Sequence, residues 1–264
     1  MPASIGVFDS GVGGLTVLNA LKARWPAENF IYLADTARLP YGSKSLHTIS
    51  SYVEQCISFL RQYDLKAVVV ACNSASTALL ERPMKSDVPI FNVVEPGARK
   101  AVEVSARRRI GVLGTRATVY SEAYVRAIQR LRPEAEVFQQ PCPLFVPLVE
   151  EGWFDDPVTN LIVYRYVSAV VRNDIDTLIM GCTHYPALRA AIAKAAPGVE
   201  LVDSSQGLTE DLEKAGVVAG ASGGAGARAG KTQILCTDFS PRLEETIRLL
   251  LGGAKFDSLE TVDI

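Results

Sequence analysis

The chain has no long hydrophobic run. Its strictly apolar stretches end after a handful of residues, as in Ala67 to Cys72, where a membrane-spanning helix needs about 20. A soluble protein is expected. It also lacks any block of like charge beyond Arg107-Arg108-Arg109, and 27 Lys and Arg nearly balance 29 Asp and Glu for a net charge of −2. Such a balance leaves no electrostatic footprint for nucleic acid or a membrane surface. No basic region precedes an apolar one at the N-terminus, so no export signal is read and a cytoplasmic location is expected. Cysteines stand at 56, 72, 142, 182 and 236; an odd, scattered set in a chain of this length makes no disulfide framework, and no CxxC pair suggests zinc. They read as free thiols.

What the sequence does hold is apolar material: 48% of 264 residues, enough for one large core or two modest ones. Short β-rich runs, among them Ser4 to Phe8, Asn29 to Leu33, Ala67 to Ala71, Ile110 to Leu113, Thr177 to Met180 and Gln233 to Cys236, alternate with segments of helical period. Those include Gly14 to Arg24, Lys44 to Tyr63, Thr118 to Leu131, Pro157 to Arg172, Pro186 to Ala196 and Pro241 to Leu251. This βα alternation belongs to mostly parallel sheets covered by helices, whose chemistry sits on loops at the carboxyl ends of strands. A weak internal repeat adds to it. "SIGVFDSGVGGLTVLNAL" at Ser4 aligns with "RIGVLGTRATVYSEAYVRAI" at Arg109, and "KAVVVACNSASTALL" at Lys66 with "DTLIMGCTHYPALRAAI" at Asp176, offsets of 105 and 110 residues. The expected architecture is therefore α/β: two pseudo-symmetric domains, each a mostly parallel sheet flanked by helices, with the active site in the cleft between them. The first would take residues 1–95 plus 207–264, the second 96–206. Gly216 to Gly230, rich in Gly and Ala, reads as a mobile connection.

The first βαβ unit imitates a dinucleotide site, with Gly11-Val12-Gly13-Gly14 after a strand and Asp35 about 20 residues further on. The pattern fails at Thr16, where a third glycine is required, and Asp9 places an anion where phosphate would lie. The glycines are better explained as a tight turn that lets Asp9 and Ser10 project into the cleft.

Cys56 falls on a helical apolar face with Tyr52, Val53, Ile57 and Leu60, and it, Cys142 and Cys236 read as core thiols. Cys72 and Cys182 differ: each ends an apolar strand ahead of a helix start, where a thiol is partly exposed and a helix N-terminus favours thiolate. Their followers are polar, Asn73-Ser74 and Thr183-His184. Two thiols facing each other across a cleft put an acid/base group on each side of whatever lies between, and proton removal from one face of a carbon with delivery to the other inverts that carbon. A thiol with an ordinary pKa near 8.5 needs only modest help to work near neutrality. Asp9 and His184 are the candidate helpers, an extended 182–184 segment pointing residues 182 and 184 the same way. Cys72, Cys182 and His184 as metal ligands lack an evident fourth member.

At this point the chain resembles the glutamate racemases of the aspartate/glutamate racemase superfamily. The resemblance rests on "IGVFDSGVGGLTVL", "YLADTARLPYGSKS", "VVVACNSAST", "PLFVPLVEEG" and "LIMGCTHYPAL", spread over residues 5 to 206. It implies glutamate held between the two domains without cofactor or metal. Cys72 would take the α-proton of D-glutamate and Cys182 that of L-glutamate, with Asp9 helping Cys72 and His184 helping Cys182. Asp9, Ser10, Tyr41, Gly42, Asn73, Ser74, Thr183 and His184 would hold substrate, and Glu150 and Thr118 would support or line the site. It further implies a supplier of D-glutamate for peptidoglycan and a homodimer. Ser74 stands where the family more often has Thr. No extension precedes Ile5 of the kind linked to activation by a cell-wall precursor, so that regulation is not expected. The rivals are a racemase of another amino acid or of a hydantoin, and a non-catalytic amino-acid-binding regulator on the same fold; paired thiols argue against the latter.

Overall fold

In the computed structural model, residues 3–218 and 229–264 are described; residues 219–228, the greater part of the Gly/Ala-rich connection, lie outside the described residues. Among the described residues, ten strands run in chain order as β1 (Ser4–Asp9), β2 (Phe30–Ala34), β3 (Leu65–Val70), β4 (Ile90–Asn92), β5 (Arg109–Gly114), β6 (Glu136–Pro141), β7 (Thr177–Gly181), β8 (Glu200–Asp203), β9 (Thr232–Cys236) and β10 (Ser258–Thr261). The α-helices are α1 (Leu15–Arg24), α2 (Leu46–Leu60), α3 (Asn73–Glu81), α4 (Val94–Val104), α5 (Arg116–Tyr120), α6 (Ala123–Leu131), α7 (Phe145–Glu150), α8 (Pro157–Val171), α9 (Arg189–Ala195), α10 (Leu208–Lys214) and α11 (Pro241–Leu250).

The strands form two sheets, one in the order β10-β9-β2-β1-β3-β4 and one in the order β6-β5-β7-β8, and every pairing is parallel. Without β9 and β10 the first order is 2-1-3-4, the second 6-5-7-8, each strand being the counterpart of one four places earlier. The internal repeat thus falls on β1 with β5 and β3 with β7. Each sheet is covered on both faces, which is why its central strands are apolar throughout rather than alternating. Val7, Leu18 and Leu212 belong to the core on one side of the first sheet, Phe8, Ile57 and Val70 to that on the other. Around the second sheet, Val167, Met180 and Ile192 fill one side, and Ala98, Val112 and Ile128 the other.

Helix starts follow local chemistry. Ser45 accepts from Thr48 N–H to open α2, whose Ile49, Val53, Cys56, Ile57 and Leu60 make one buried face. Asp156 accepts from Val158 N–H and Pro157 occupies the first turn of α8. The single helix expected over Thr118 to Leu131 is two, α5 and α6, hinged at Glu122 with φ 54°. Ser121 is the cause: its hydroxyl donates to Thr118 O and accepts from Ala123 N–H, satisfying backbone groups that a continuous helix would use. Pro186 to Ala196 likewise begins as a 3-10 turn, Tyr185–Leu188, before α9. Helix α4 and strand β10 were not anticipated. The latter is a short, half-exposed edge strand, and its period-2 signal is correspondingly weak.

Candidate functional site

A cavity of about 240 Å3 opens between the two sheets. It is lined from the carboxyl ends of β1 (Ser10, Gly11) and β3 (Cys72, Asn73, Ser74), and from the corresponding ends of β5 (Thr115, Arg116) and β7 (Cys182, Thr183, His184). The turn 39–43 and helix α7, through Glu150, close the sides. Brought together here are Ser10, Tyr41, Gly42, Cys72, Asn73, Ser74, Glu150, Cys182, Thr183 and His184, all anticipated from sequence.

Two anticipated residues sit one step back. Asp9 is fully buried beneath the floor, where its carboxylate accepts from Gly11 N–H at 3.0 Å and from the Thr183 hydroxyl at 3.2 Å. Only Ser10 projects into the cleft, because the turn at Gly11 folds the Asp9 carboxylate back under the chain. Thr118 is also fully buried and does not line the cavity; it accepts from Thr115 Oγ1 at 3.1 Å, while Thr115 meets Ser74 Oγ at 2.9 Å. Its role is to hold a lining residue. Tyr41 lines the cavity, yet its hydroxyl donates away from it to buried Asp35, which also accepts from Arg38 and Thr237. Asp35, the would-be ribose acid, is thus spent inside the first lobe. The glycines of the first turn make room for protein rather than phosphate. A Cβ on Gly13 would meet Thr183 Oγ1 and His184 Cε1 at 2.5 Å, and one on Gly14 would meet Asp9 Cβ at 2.6 Å.

Cys72 caps α3 with extended backbone, φ −63° and ψ 122°, and its Sγ lies 3.5 Å from Ser10 Oγ. The pull of the helix start on this thiol is outweighed. Burial, followed by the charge of Asp9, pushes it up to about 12, against the smaller pull of Ser10 and of Ala75 N–H. Reaction of Cys72 with iodoacetamide should therefore rise about tenfold per pH unit between pH 7 and 10 without a plateau, as for any thiol far below its midpoint. Peptide mass spectrometry measures it; a plateau near pH 8 would contradict the burial argument.

On the other wall, Cys182 Sγ is 4.0 Å from His184 Nδ1, and His184 Nε2 is 3.2 Å from Glu150 Oε1. The latter is an ion-pair distance. Residues 182–184 are a turn and not extended, with His184 at φ −80° and ψ −27°; the turn folds the ring back over the thiol. Burial disfavours the imidazolium, but the Cys182 sulfur and the Glu150 carboxylate outweigh it, and His184 is raised to about 10. The ring is a cation at neutral pH. Asp9, by contrast, is raised by burial against several donors and the His184 charge.

Sequence reading missed Thr115, although the internal repeat places it in the slot of Ser10. It also assigned Cys142 to the core alone; this thiol is fully buried and packs there, but it reaches the cavity wall as well. Nothing in its neighbourhood marked it. Among the described residues, no group of three or more His, Cys, Asp or Glu is arranged to hold a metal ion, and no helix is long and apolar enough to cross a membrane.

Two matched α/β lobes with a cysteine at the same strand end of each, both lining one cavity, define a class of protein built to act on two sides of a small molecule. A family profile described as Asp/Glu/Hydantoin racemase matches residues 6–212, and the chain belongs to that family. A glutamate racemase of Sulfurihydrogenibium sp. (strain YO3AOP1) is 42% identical over 262 residues, covering 98% of each chain. A glutamate racemase isoform from Bacillus anthracis superposes with a TM-score of 0.90 at 34% identity, covering 100% of this chain and 98% of that one. Another from Francisella tularensis, solved in complex with D-glutamate, gives 0.86 at 31% identity, with 99% and 97% covered.

Proposed function

We propose that this chain inverts the α-carbon of glutamate by proton transfer between Cys72 and Cys182. That it is an enzyme racemising glutamate follows from its kinship with the curated glutamate racemases and from its likeness to their structures; the chemistry is our reading. The observation that carries it is the pair of thiols at equivalent strand ends of the two sheets, both lining one cavity.

In this mechanism the Cys72 thiolate removes the α-proton of D-glutamate, and the electron pair left on carbon is delocalised into the adjoining carboxylate. Cys182 then delivers its S–H proton to the opposite face, giving L-glutamate and leaving a Cys182 thiolate. The reverse reaction starts from that thiolate. The cationic His184, paired with Glu150, stands 4.0 Å from the Cys182 sulfur. On the Cys72 side, the buried Asp9 disfavours a second anion, a charge that the ammonium of a substrate in the cavity would offset, so the Cys72 proton is released to solvent as substrate enters. The Ser10 hydroxyl and the second Nδ2 hydrogen of Asn73, with backbone N–H groups at Tyr41, Gly42, Ser74 and Thr183, supply hydrogen bonds for two carboxylates. Only protons move, so the scheme requires neither cofactor nor metal. The same reading makes the chain a cytoplasmic supplier of D-glutamate for peptidoglycan, working as a homodimer of two-domain protomers.

In D2O without added cofactor, each enantiomer should gain one deuterium at the α-carbon, most of it in product of opposite hand, as seen by proton NMR with chiral chromatography. Label that appears chiefly in unreacted substrate, or a requirement for pyridoxal phosphate, would overturn the scheme.

A further inference from the structure

The residue that follows each thiol is held by the opposite lobe. Asn73, next to Cys72 on the first lobe, is gripped at both ends of its amide by the second: Tyr124 of α6 donates to its Oδ1 at 2.7 Å, and its Nδ2 donates to Ser204 Oγ, just after β8, at 3.1 Å. Thr183, next to Cys182 on the second lobe, is gripped by the first. Its hydroxyl donates to Asp9 Oδ1 at 3.2 Å, and its carbonyl accepts from Thr16 of α1 at 3.0 Å. Asn73 and Thr183 occupy the same slot of the internal repeat, one place after Cys72 and Cys182, so the two grips are counterparts.

We infer that this crossed hydrogen-bond brace sets the separation of the two thiols, and that Tyr124 is the positioning residue for Cys72. Tyr124 itself is fully buried and does not line the cavity. A buried hydrogen bond between groups that would otherwise lack a partner is costly to leave unmade, so each grip is a fixed tie rather than a loose contact. Parallel ties within one lobe would fix each thiol to its own sheet and leave the gap between sheets free. Crossed ties fix the gap itself, which is the distance a two-sided proton transfer depends on; a displacement of about 1 Å is enough to slow such a step by two orders of magnitude. Because the Tyr124 hydroxyl ends on Asn73, adjacent to Cys72, whereas its ring, which packs beside Gly181, does not depend on that hydroxyl, loss of the tie is felt on the Cys72 side.

The test is Tyr124→Phe, which keeps the ring in its pocket and removes only the hydroxyl. Alkylation of the two thiols by iodoacetamide, followed peptide by peptide, should show Cys72 accelerated about threefold or more and Cys182 unchanged. An unmoved Cys72, or an equal rise at both, overturns the brace. The functional consequence rests on the two-thiol reading and is read in single-thiol backgrounds. Added to Cys182→Ala, Tyr124→Phe should slow deuterium exchange into D-glutamate about tenfold; added to Cys72→Ala, it should leave exchange into L-glutamate within twofold. Equal slowing in both backgrounds would mark a merely structural role and overturn the assignment. Should the unmodified protein exchange no deuterium into glutamate, the racemase reading fails by itself, and the alkylation comparison still decides the brace.

Discussion

Replacing Cys182 by alanine is expected to lower glutamate turnover in both directions by about 10³- to 10⁴-fold, the upper part of the range for loss of a positioned acid/base group. In the proposed mechanism both directions suffer, because each inversion would use one thiol as base and the other as acid; detailed balance forbids a one-way loss. Cys72→Ala should do the same. The cavity remains, since a thiol-to-methyl change removes one atom from a wall whose other members are in place, so each variant should still bind glutamate with affinity within a few fold of the parent. Calorimetric titration of D-glutamate checks the binding, and a coupled racemisation assay the rate. Retention of a tenth of the parent rate by either variant would remove that thiol from the mechanism. So would a variant that loses binding along with rate, since the defect would then lie in the pocket's shape.

Gly13→Ala should be nearly as damaging although residue 13 carries no reactive group. Its new Cβ would stand 2.5 Å from both Thr183 Oγ1 and His184 Cε1, closer than carbon and oxygen can pack, and both belong to the wall that holds Cys182. His184 has little room to retreat, being 4% exposed and set between Cys182 and Glu150. A loss of about 100-fold in turnover is expected from displacement of the ring, with about 1–3 kcal/mol of stability lost to overpacking. The companion variant Gly13→Ala with His184→Ala separates the causes. Removing the ring relieves the collision with His184 and leaves only that with Thr183 Oγ1, so the double variant should unfold at higher denaturant concentration than Gly13→Ala alone, a coupling read from a double-mutant cycle. If Gly13→Ala folds with unchanged stability and rate, the close approach of the first turn to His184 is not a constraint in solution.

Much of the site was legible in the chain because its chemistry is concentrated at strand ends. Asp9-Ser10, Cys72-Asn73-Ser74 and Cys182-Thr183-His184 each follow an apolar run that can only be a buried strand, and parallel sheets present such ends on one side. The repeat then paired the two cysteines before any coordinate did. Where reading failed, the missing information was three-dimensional. The direction of the Cys72 shift depends on burial and on Asp9 beneath Ser10, and neither is visible in a helix-start argument; the expected thiolate-favouring site is one that burial drives the other way. The expected extended segment at 182–184 is a turn, since the backbone bends into the 3-10 start at Tyr185. Asp35 illustrates the reverse error. Its spacing from the glycines suits a ribose, yet its partners Arg38, Tyr41 and Thr237 come from segments up to 202 residues away.

The sequence alone determined the α/β alternation and the internal repeat that sets Cys72 and Cys182 in matching slots, because periodicity and residue type are properties of short segments and survive without knowledge of neighbours. Only the tertiary structure decided which groups oppose one another: that Asp9 reaches Thr183, that Tyr124 and Ser204 reach Asn73, and that Glu150 stands by His184. Hydrogen bonds and charge interactions act over a few ångströms irrespective of separation along the chain, so their pairing is set by how the lobes pack.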